Sequence, residues 1–411
     1  MRILYNLGIY LYYTGIFVFS FFNVKAKKWR QGRNGLLKKT ADLFNETDKL
    51  AWFHAASLGE FEQGRTVIEK FRLQYPNFKI LLTFFSPSGY EVRKNYSGVD
   101  AVLYLPIDTP QHAKKFIDLI HPDIVFFIKY EFWFNYLKIL NDKKIPVYLI
   151  SVIFRPQQHF FKSYGGWFRK QLKHFTHFFV QNDASRQLLF SVGLQNVTIS
   201  GDTRFDRVVE IAANKRAFPL IEKFIAAHPI LIAGSSWEAD EAILIDFMKS
   251  ATTTLRYIIA PHEIHKERIQ QLQQILPLSS LLFSQADEIN IVDAQVLIID
   301  SIGLLSNLYQ YASITMIGGG FGKGIHNILE AACFGNPVLF GPNYHKFSEA
   351  VQLIKAGGAF EFSDSKDFKN KVQYLIEHTA AVENCRKINT DYINKQKGAS
   401  EKILQQLHLQ Q

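Results

Sequence analysis

"LAWFHAASLGEFEQGRTVIEKFRLQ", residues 50–74, decides how the rest of the chain reads. The apolar run "LAWFHAAS" predicts a buried strand. In "GRTVIEKFRLQ", Val67, Ile68 and Phe71 recur at helical spacing and predict a helix. Between them a turn of small residues carries Glu60 and Glu62. A buried strand leading into an amphipathic helix is the repeating unit of a parallel sheet covered on both faces.

The unit recurs along the chain. "FKILLTFF" precedes the helical "SPSGYEVRKNY", "AVLYLP" precedes "PQHAKKFIDLI", and "DIVFFIKY" precedes "FWFNYLKILND". "PVYLISV", "HFFVQN" and "NVTISG" add strands, and "ASRQLLFSVG" a helix. From about Asp206 the rhythm loosens, then restarts at "ILIAGS" and continues through "LRYIIAP", "VLIID", "SITMIGGG" and "PVLFG". Two similar doubly wound α/β halves are expected, with helical residues from about 367 to 411. A chain of 411 residues is long enough for two cores at roughly 100–200 residues per domain. The expected divisions are 1–35, 36–208 and 209–411. Open α/β sheets bind ligands beyond the carboxyl ends of their strands, so a cleft between two such domains is expected to hold the site.

An apolar content of 47% excludes a disordered chain, and a net charge of +10 favours an anionic partner. No basic patch interleaved with stacking aromatics stands out, so nucleic acid is not the expected one. Cys333 and Cys385 are too few for a disulfide framework and suit a reducing compartment.

Ile3 to Phe22 runs 20 residues without a charge, and Lys25, Lys27, Lys28, Arg30, Arg33, Lys38 and Lys39 follow. A bilayer core is matched by about 20 residues of helix, and basic flanks favour anionic headgroups and the cytoplasmic side. The expectation is an anchor, spanning or monotopic. A cleaved signal peptide and a buried core helix are the alternatives.

Candidate chemistry falls where strands end. Gly318, Gly319, Gly320, Gly322 and Gly324 follow "SITMI" but miss the spacings of the dinucleotide fingerprint and the P-loop. Their backbone N–H groups still suit an anion. In "IHNILEAACFGNP", Asn327 and Glu330 are three apart and expected on one helix face, where a carboxylate can accept from ribose hydroxyls. Glu131 follows an apolar strand, either as a structural acid or as a substrate contact. Arg204 follows another strand and suits a phosphate or carboxylate clamp. His262, Glu263 and His265 miss the zinc spacing by one residue, so no metal is expected.

In this order, "WFHAASLGEFEQG", "TFFSPSGYE", "PDIVFFIKYEFWFN", "SGDTRFD", "AGSSWEADE", "APHE" and "GGGFGKGIHNILEAACFGNPVLFGP" resemble the Kdo (3-deoxy-D-manno-octulosonic acid) transferases of lipopolysaccharide synthesis. The resemblance covers nearly the whole chain. It implies a GT-B fold of two Rossmann-like domains and inverting transfer of Kdo from CMP-Kdo to a lipid A precursor, lipid IVA. It also implies a place on the cytoplasmic face of the inner membrane, with no metal or cofactor. Glu60 matches the family's catalytic base and Glu131 its acid in the acceptor domain. Arg204 stands where the family usually has Lys. Asn327, Glu330 and Gly324 match the nucleotide-binding run. Ser235 and Ser236 stand in the family's S-T-H loop, with Trp237 in place of His. His262 replaces an Arg, and Ile302 and Gly303 match a D-T-M-G-E-L run in which Leu304 replaces Glu. A GT-B transferase with another nucleotide-sugar donor, or a non-catalytic binder of anionic lipid, are the alternatives.

Overall fold

The computed structural model describes residues 1–250, 255–407 and 409. The chain divides into two units, Met1–Arg207 with Lys397–Gln411, and Val208–Gln396. The described residues from Lys397 onward therefore belong to the first unit, although the sequence pattern attaches them to the second domain.

The first unit holds β1 (Lys49–Ala55), β2 (Phe78–Phe84), β3 (Ala101–Tyr104), β4 (Ile124–Ile128), β5 (Val147–Val152), β6 (His177–Val180) and β7 (Val197–Ile199). All pair parallel, in the order β3-β2-β1-β4-β5-β6-β7. Alternation along β1 fills both faces. Leu50 and Trp52 join one buried cluster, and Ala51, Phe53 and Ala55 the other. The helix after β1 spans Leu58–Gln74, six residues earlier than "GRTVIEKFRLQ" predicts. Gly64 lets it lie close to the sheet, because a Cβ there would sit 2.2 Å from Ile128 Cδ1.

The second unit holds β8 (Ile230–Ser236), β9 (Arg256–Pro261), β10 (Ser280–Leu282), β11 (Val296–Ile298), β12 (Ile314–Ile317), β13 (Val338–Phe340) and β14 (Ala359–Glu361). They are again parallel, in the order β10-β11-β9-β8-β12-β13-β14. In each sheet, successive connections leave the centre in opposite directions, so the order reverses between β1 and β4 and between β8 and β12. These reversals leave a crevice at the carboxyl ends of the strands, where such sheets bind ligands.

The carboxy-terminal helix Ala399–Gln405 is built into the first unit's core. Ile403, Leu404 and Leu407 pack with Phe71 and Tyr75. The Asp206 carboxylate, itself buried, accepts from the backbone N–H groups of Gly398 and Ser400, the latter at 2.6 Å. It supplies the helix start with an acceptor from 192 residues upstream.

At the amino terminus, Arg2–Phe19 is helical, and Val24–Gln31 forms a second helix bent 120° from it. Neither helix alone is long and apolar enough to cross a membrane; the bent pair together reaches that length and composition. Tyr5, Asn6, Ile9, Tyr13 and Ile16 form the helix's half-buried stripe. Tyr5 donates to Asp108, and Asn6 accepts from Asn135 at 2.9 Å. The outer side is also apolar, with Ile3, Leu4, Leu7, Leu11, Val18 and Phe19 exposed. One basic residue departs from the expected lipid-facing cluster. The Arg33 guanidinium stacks on Trp29 at 3.7 Å and donates to the carbonyls of Leu105 and Phe85, both at 2.9 Å. It fastens the amino-terminal segment to the sheet.

Candidate active site

In the first unit, β1 ends at Ala55 and the next helix starts at Leu58. Ser57 is its extended N-cap, and the Ser57 hydroxyl donates to the Glu60 carboxylate. Glu60 thus sits in the first turn, half-buried, at the positive end of the helix dipole and beside the reversal between β1 and β4. Glu62 faces another way and pairs with Arg93 at 2.7 Å and Arg65 at 3.6 Å. The two carboxylates of the opening stretch are separated by geometry.

Glu131 lies three residues beyond β4 and is buried. Its Oε2 is 2.9 Å from His54 Nε2 and accepts from Trp133 Nε1 at 2.6 Å. A carboxylate only accepts, so His54 Nε2 donates to it, and the Trp133 N–H, also 3.0 Å from His54 Nε2, goes to the carboxylate. His54 Nδ1 is 2.8 Å from Thr83 Oγ1, a hydroxyl that accepts from Trp52 Nε1. The open choice for Glu131 between structural acid and substrate contact falls on the structural side for this oxygen.

Arg204 is the second residue of the helix Thr203–Ala213, and its guanidinium lies against Asp202 at 2.6 and 2.9 Å. That carboxylate offsets the charge expected to clamp a ligand. The Thr203 hydroxyl ties this helix to the one carrying Glu60 by donating to the Gln63 carbonyl, and lies 2.8 Å from Ser151 Oγ on β5.

In the second unit, Ser235, Ser236 and the glycine loop meet at the reversal between β8 and β12. Gly318 donates to the Gly234 carbonyl at 2.9 Å, and a Cβ on Gly318 would sit 2.3 Å from the Ser235 carbonyl oxygen. Ser235 adopts a left-handed backbone, φ +52°. Asp240 straps the loop together, accepting from Gly319 N at 2.8 Å and Trp237 N at 2.9 Å. Burial raises its pKa. Ser236 differs from expectation: it is buried, and its hydroxyl donates to Glu241 at 2.8 Å, which is ion-paired with Arg268. It holds the strand end rather than presenting a hydroxyl to a ligand.

His262 stacks between Trp237, at 4.5 Å, and His326, at 4.4 Å. Trp237 Nε1 donates to His326 Nε2 at 3.0 Å, so the His326 ring proton sits on Nδ1. Burial pushes the His326 pKa down to about 4, with His262 adding to the effect. The imidazole is neutral at pH 7.

Asn327 Nδ2 donates to Glu330 Oε1 at 2.9 Å, but the expected shared helix face is corrected. The helix covers only Leu329–Ala332, and Asn327 precedes it, its Oδ1 accepting from Leu329 N. Gly324 reaches φ +142°, open to glycine, with Phe347 at 2.8 Å from a would-be Cβ. Ile302 and Gly303 stand apart. Ile302 is exposed in the turn after β11, two strands from the reversal.

A family model described as 3-deoxy-D-manno-octulosonic-acid transferase matches residues 27–207. A transferase of that name from Aquifex aeolicus is 26% identical over 84% of this chain and 92% of its own length. Its counterpart from Rickettsia bellii is 26% identical over 80% of this chain and 79% of its own length.

The chain is related to the Kdo transferases.

That relationship makes it a glycosyltransferase. Its fold agrees. UDP-GlcNAc 2-epimerase from Neisseria meningitidis superposes with a TM-score of 0.58 at 17% identity, over 87% of this chain and 98% of its own. A glycosyltransferase from Rickettsia africae gives 0.57 at 13%, over 87% and 97%. Both show the GT-B arrangement of two parallel-sheet domains, and the fold alone. Beside the Kdo-transferase motifs, sequence reasoning passed over His54, Lys129 and Asp240. All three lie inside the quoted runs, and their apolar or acidic neighbours gave no sign of which would be buried together.

Proposed function

We propose that the chain transfers Kdo from CMP-Kdo to a sugar hydroxyl of a lipid A precursor, with inversion. The observation that carries this reading is Glu60, placed by the β1 end and a helix N-terminus at the reversal of the first sheet. Glu60 takes the acceptor hydroxyl proton as that oxygen attacks the anomeric carbon from the face opposite CMP. The bond to the CMP phosphate oxygen breaks, and CMP leaves with the electron pair. The second unit holds the donor: the backbone of the glycine loop and Ser235 faces the phosphate, and Asn327 with Glu330 takes the cytidine half. Trp237, His262 and His326 line this end in place of a cationic pair. The loop N–H groups offset charge that develops on the leaving group. No metal or cofactor enters a step.

The amino-terminal helices support a monotopic attachment to the cytoplasmic face of the inner membrane. Their exposed apolar side lies in the interface, with Lys25, Lys27 and Lys28 on anionic lipid.

The test is direct. Purified protein is incubated with CMP-Kdo and a tetra-acylated glucosamine disaccharide, and the product is weighed. A gain equal to one or more Kdo residues supports the reading, and an unchanged acceptor mass overturns it. Competition by CMP but not UDP separates it from a transferase with another donor.

A further inference from the structure

The carboxyl ends of β4 and β5 carry two cations that the proposed mechanism leaves unused. We propose that Lys129, assisted by Arg155, forms an oxyanion subsite on the first unit, taking either the carboxylate of the transferred sugar acid or a phosphate of the acceptor. The inference rests on the transfer reading only for the identity of these anions.

Lys129 is the first residue after β4, at the sheet reversal. Its backbone is left-handed, φ +69°, a conformation costing a non-glycine residue on the order of 1 kcal/mol or more. Its N–H is held by the Ile150 carbonyl at 2.9 Å, so the neighbouring strand fixes this turn. The ammonium lies half-buried, 5.9 Å from the centre of the Tyr130 ring. Among the described residues no carboxylate lies within ion-pair distance of it. Arg204, the other cation at this end, faces Asp202, which offsets its charge. The surplus positive charge is therefore at Lys129, with exposed Arg155 three residues beyond β5. Glu60, Asp202, Arg204 and Arg155 all act electrostatically on Lys129, which places it in the neighbourhood of the proposed base. A half-buried ammonium with no carboxylate in ion-pair contact is desolvated at a cost that a bound oxyanion offsets.

The test compares wild type with Lys129→Met and Lys129→Arg, using one acceptor with its sugar phosphates and one without. Loss of a charge-assisted contact predicts about 10- to 100-fold slower transfer in Lys129→Met, partly recovered in Lys129→Arg. Loss with both acceptors assigns the sugar carboxylate. Loss confined to the phosphorylated acceptor, read as a raised KM, assigns the acceptor phosphate. Transfer within twofold of wild type on both overturns the subsite. Lys129→Asn, which suits a left-handed backbone, serves if the Met variant fails to fold. A second readout needs no turnover: inorganic phosphate should raise the Tm of wild type more than that of Lys129→Met. Equal shifts overturn the subsite. Absence of wild-type transfer with unequal shifts overturns the transfer reading alone.

Discussion

His54 and Glu131 meet at 2.9 Å inside the first unit, although 77 residues separate them. β1 and β4 are hydrogen-bonded neighbours, and their ends bring an imidazole and a carboxylate together where Trp133 adds a second donor. Truncating Glu131 to Ala leaves the buried His54 N–H without its acceptor, and the half-buried Trp133 N–H with only His54 Nε2, 3.0 Å away, to turn to. The expected cost is about 1–3 kcal/mol, that of one orphaned buried donor. Urea unfolding of Glu131→Ala and Glu131→Gln checks it. Gln keeps an acceptor oxygen and should lose less. Equal stability of wild type and the Ala variant would show that the network carries no load.

Glu60 differs from Glu131 in being half-buried and bonded to a neighbouring hydroxyl rather than locked in the core. Glu60→Gln should lower kcat by about 10²- to 10⁴-fold, the usual contribution of a general base, with Tm nearly unchanged. Near-normal turnover in the folded variant would remove Glu60 as base.

Asp206 joins the Thr203–Ala213 helix to the start of Ala399–Gln405. Asp206→Ala should release the last residues from the first unit. Hydrogen exchange over 399–405 should quicken by at least tenfold, and limited proteolysis should cut after Lys397. Unchanged protection would mean that Ile403, Leu404 and Leu407 hold the helix without the cap.

His326 gives a pH dependence of defined sign. Its folded pKa of about 4 lies below the ordinary histidine value of about 6.5. Between these values the unfolded chain binds the proton and the folded chain does not. Stability is therefore full above about pH 6.5 and falls as the pH drops towards 4. His326→Gln should flatten this part of the Tm–pH curve. In wild type, Trp237 fluorescence should change near pH 4, where protonation of Nε2 removes the acceptor of its N–H. A transition near 6.5 instead would contradict the half-buried, neutral ring.

The outer face of the first helix offers a lipid-binding test that leaves the fold intact. Leu7 and Leu11 are 53% and 64% exposed, so Leu7→Glu combined with Leu11→Glu should keep Tm. Flotation with vesicles containing anionic phosphatidylglycerol should fall at least tenfold, because two charges enter the interfacial face. Undiminished flotation would place attachment elsewhere.

Much of the architecture was legible because buried parallel strands write themselves as apolar runs. β1, β2, β4, β5, β8, β9 and β12 all coincide with such runs to within a residue, and the expected two α/β halves follow from their rhythm. The edge strands β10 and β14 are three residues each, too short for a periodic signal. The helix from Leu58 begins earlier than its apolar spacing suggests, since the small residues around Gly59 read as a turn, while Gly64 lies against Ile128 inside the helix. The reverse held at Asn327, where an apolar run suggested a longer helix than the four residues the glycine loop leaves room for.

At the candidate site the sequence determined which residue types stand at strand ends: Glu60 after one strand, a glycine cluster after another, Arg204 and Glu131 after two more. Local order along the chain suffices for that, because a strand and its following turn are adjacent in sequence. Only the tertiary structure decided what each side chain faces. It turned Ser236 inward to Glu241, set Asp202 against Arg204, closed His54 on Glu131, and left Lys129 without a carboxylate partner among the described residues. It also returned the last helix to the first unit, on a carboxylate nearly two hundred residues upstream. Those choices depend on strand order and on which charges lose water together, and neither is written in the spacing of residues along one chain.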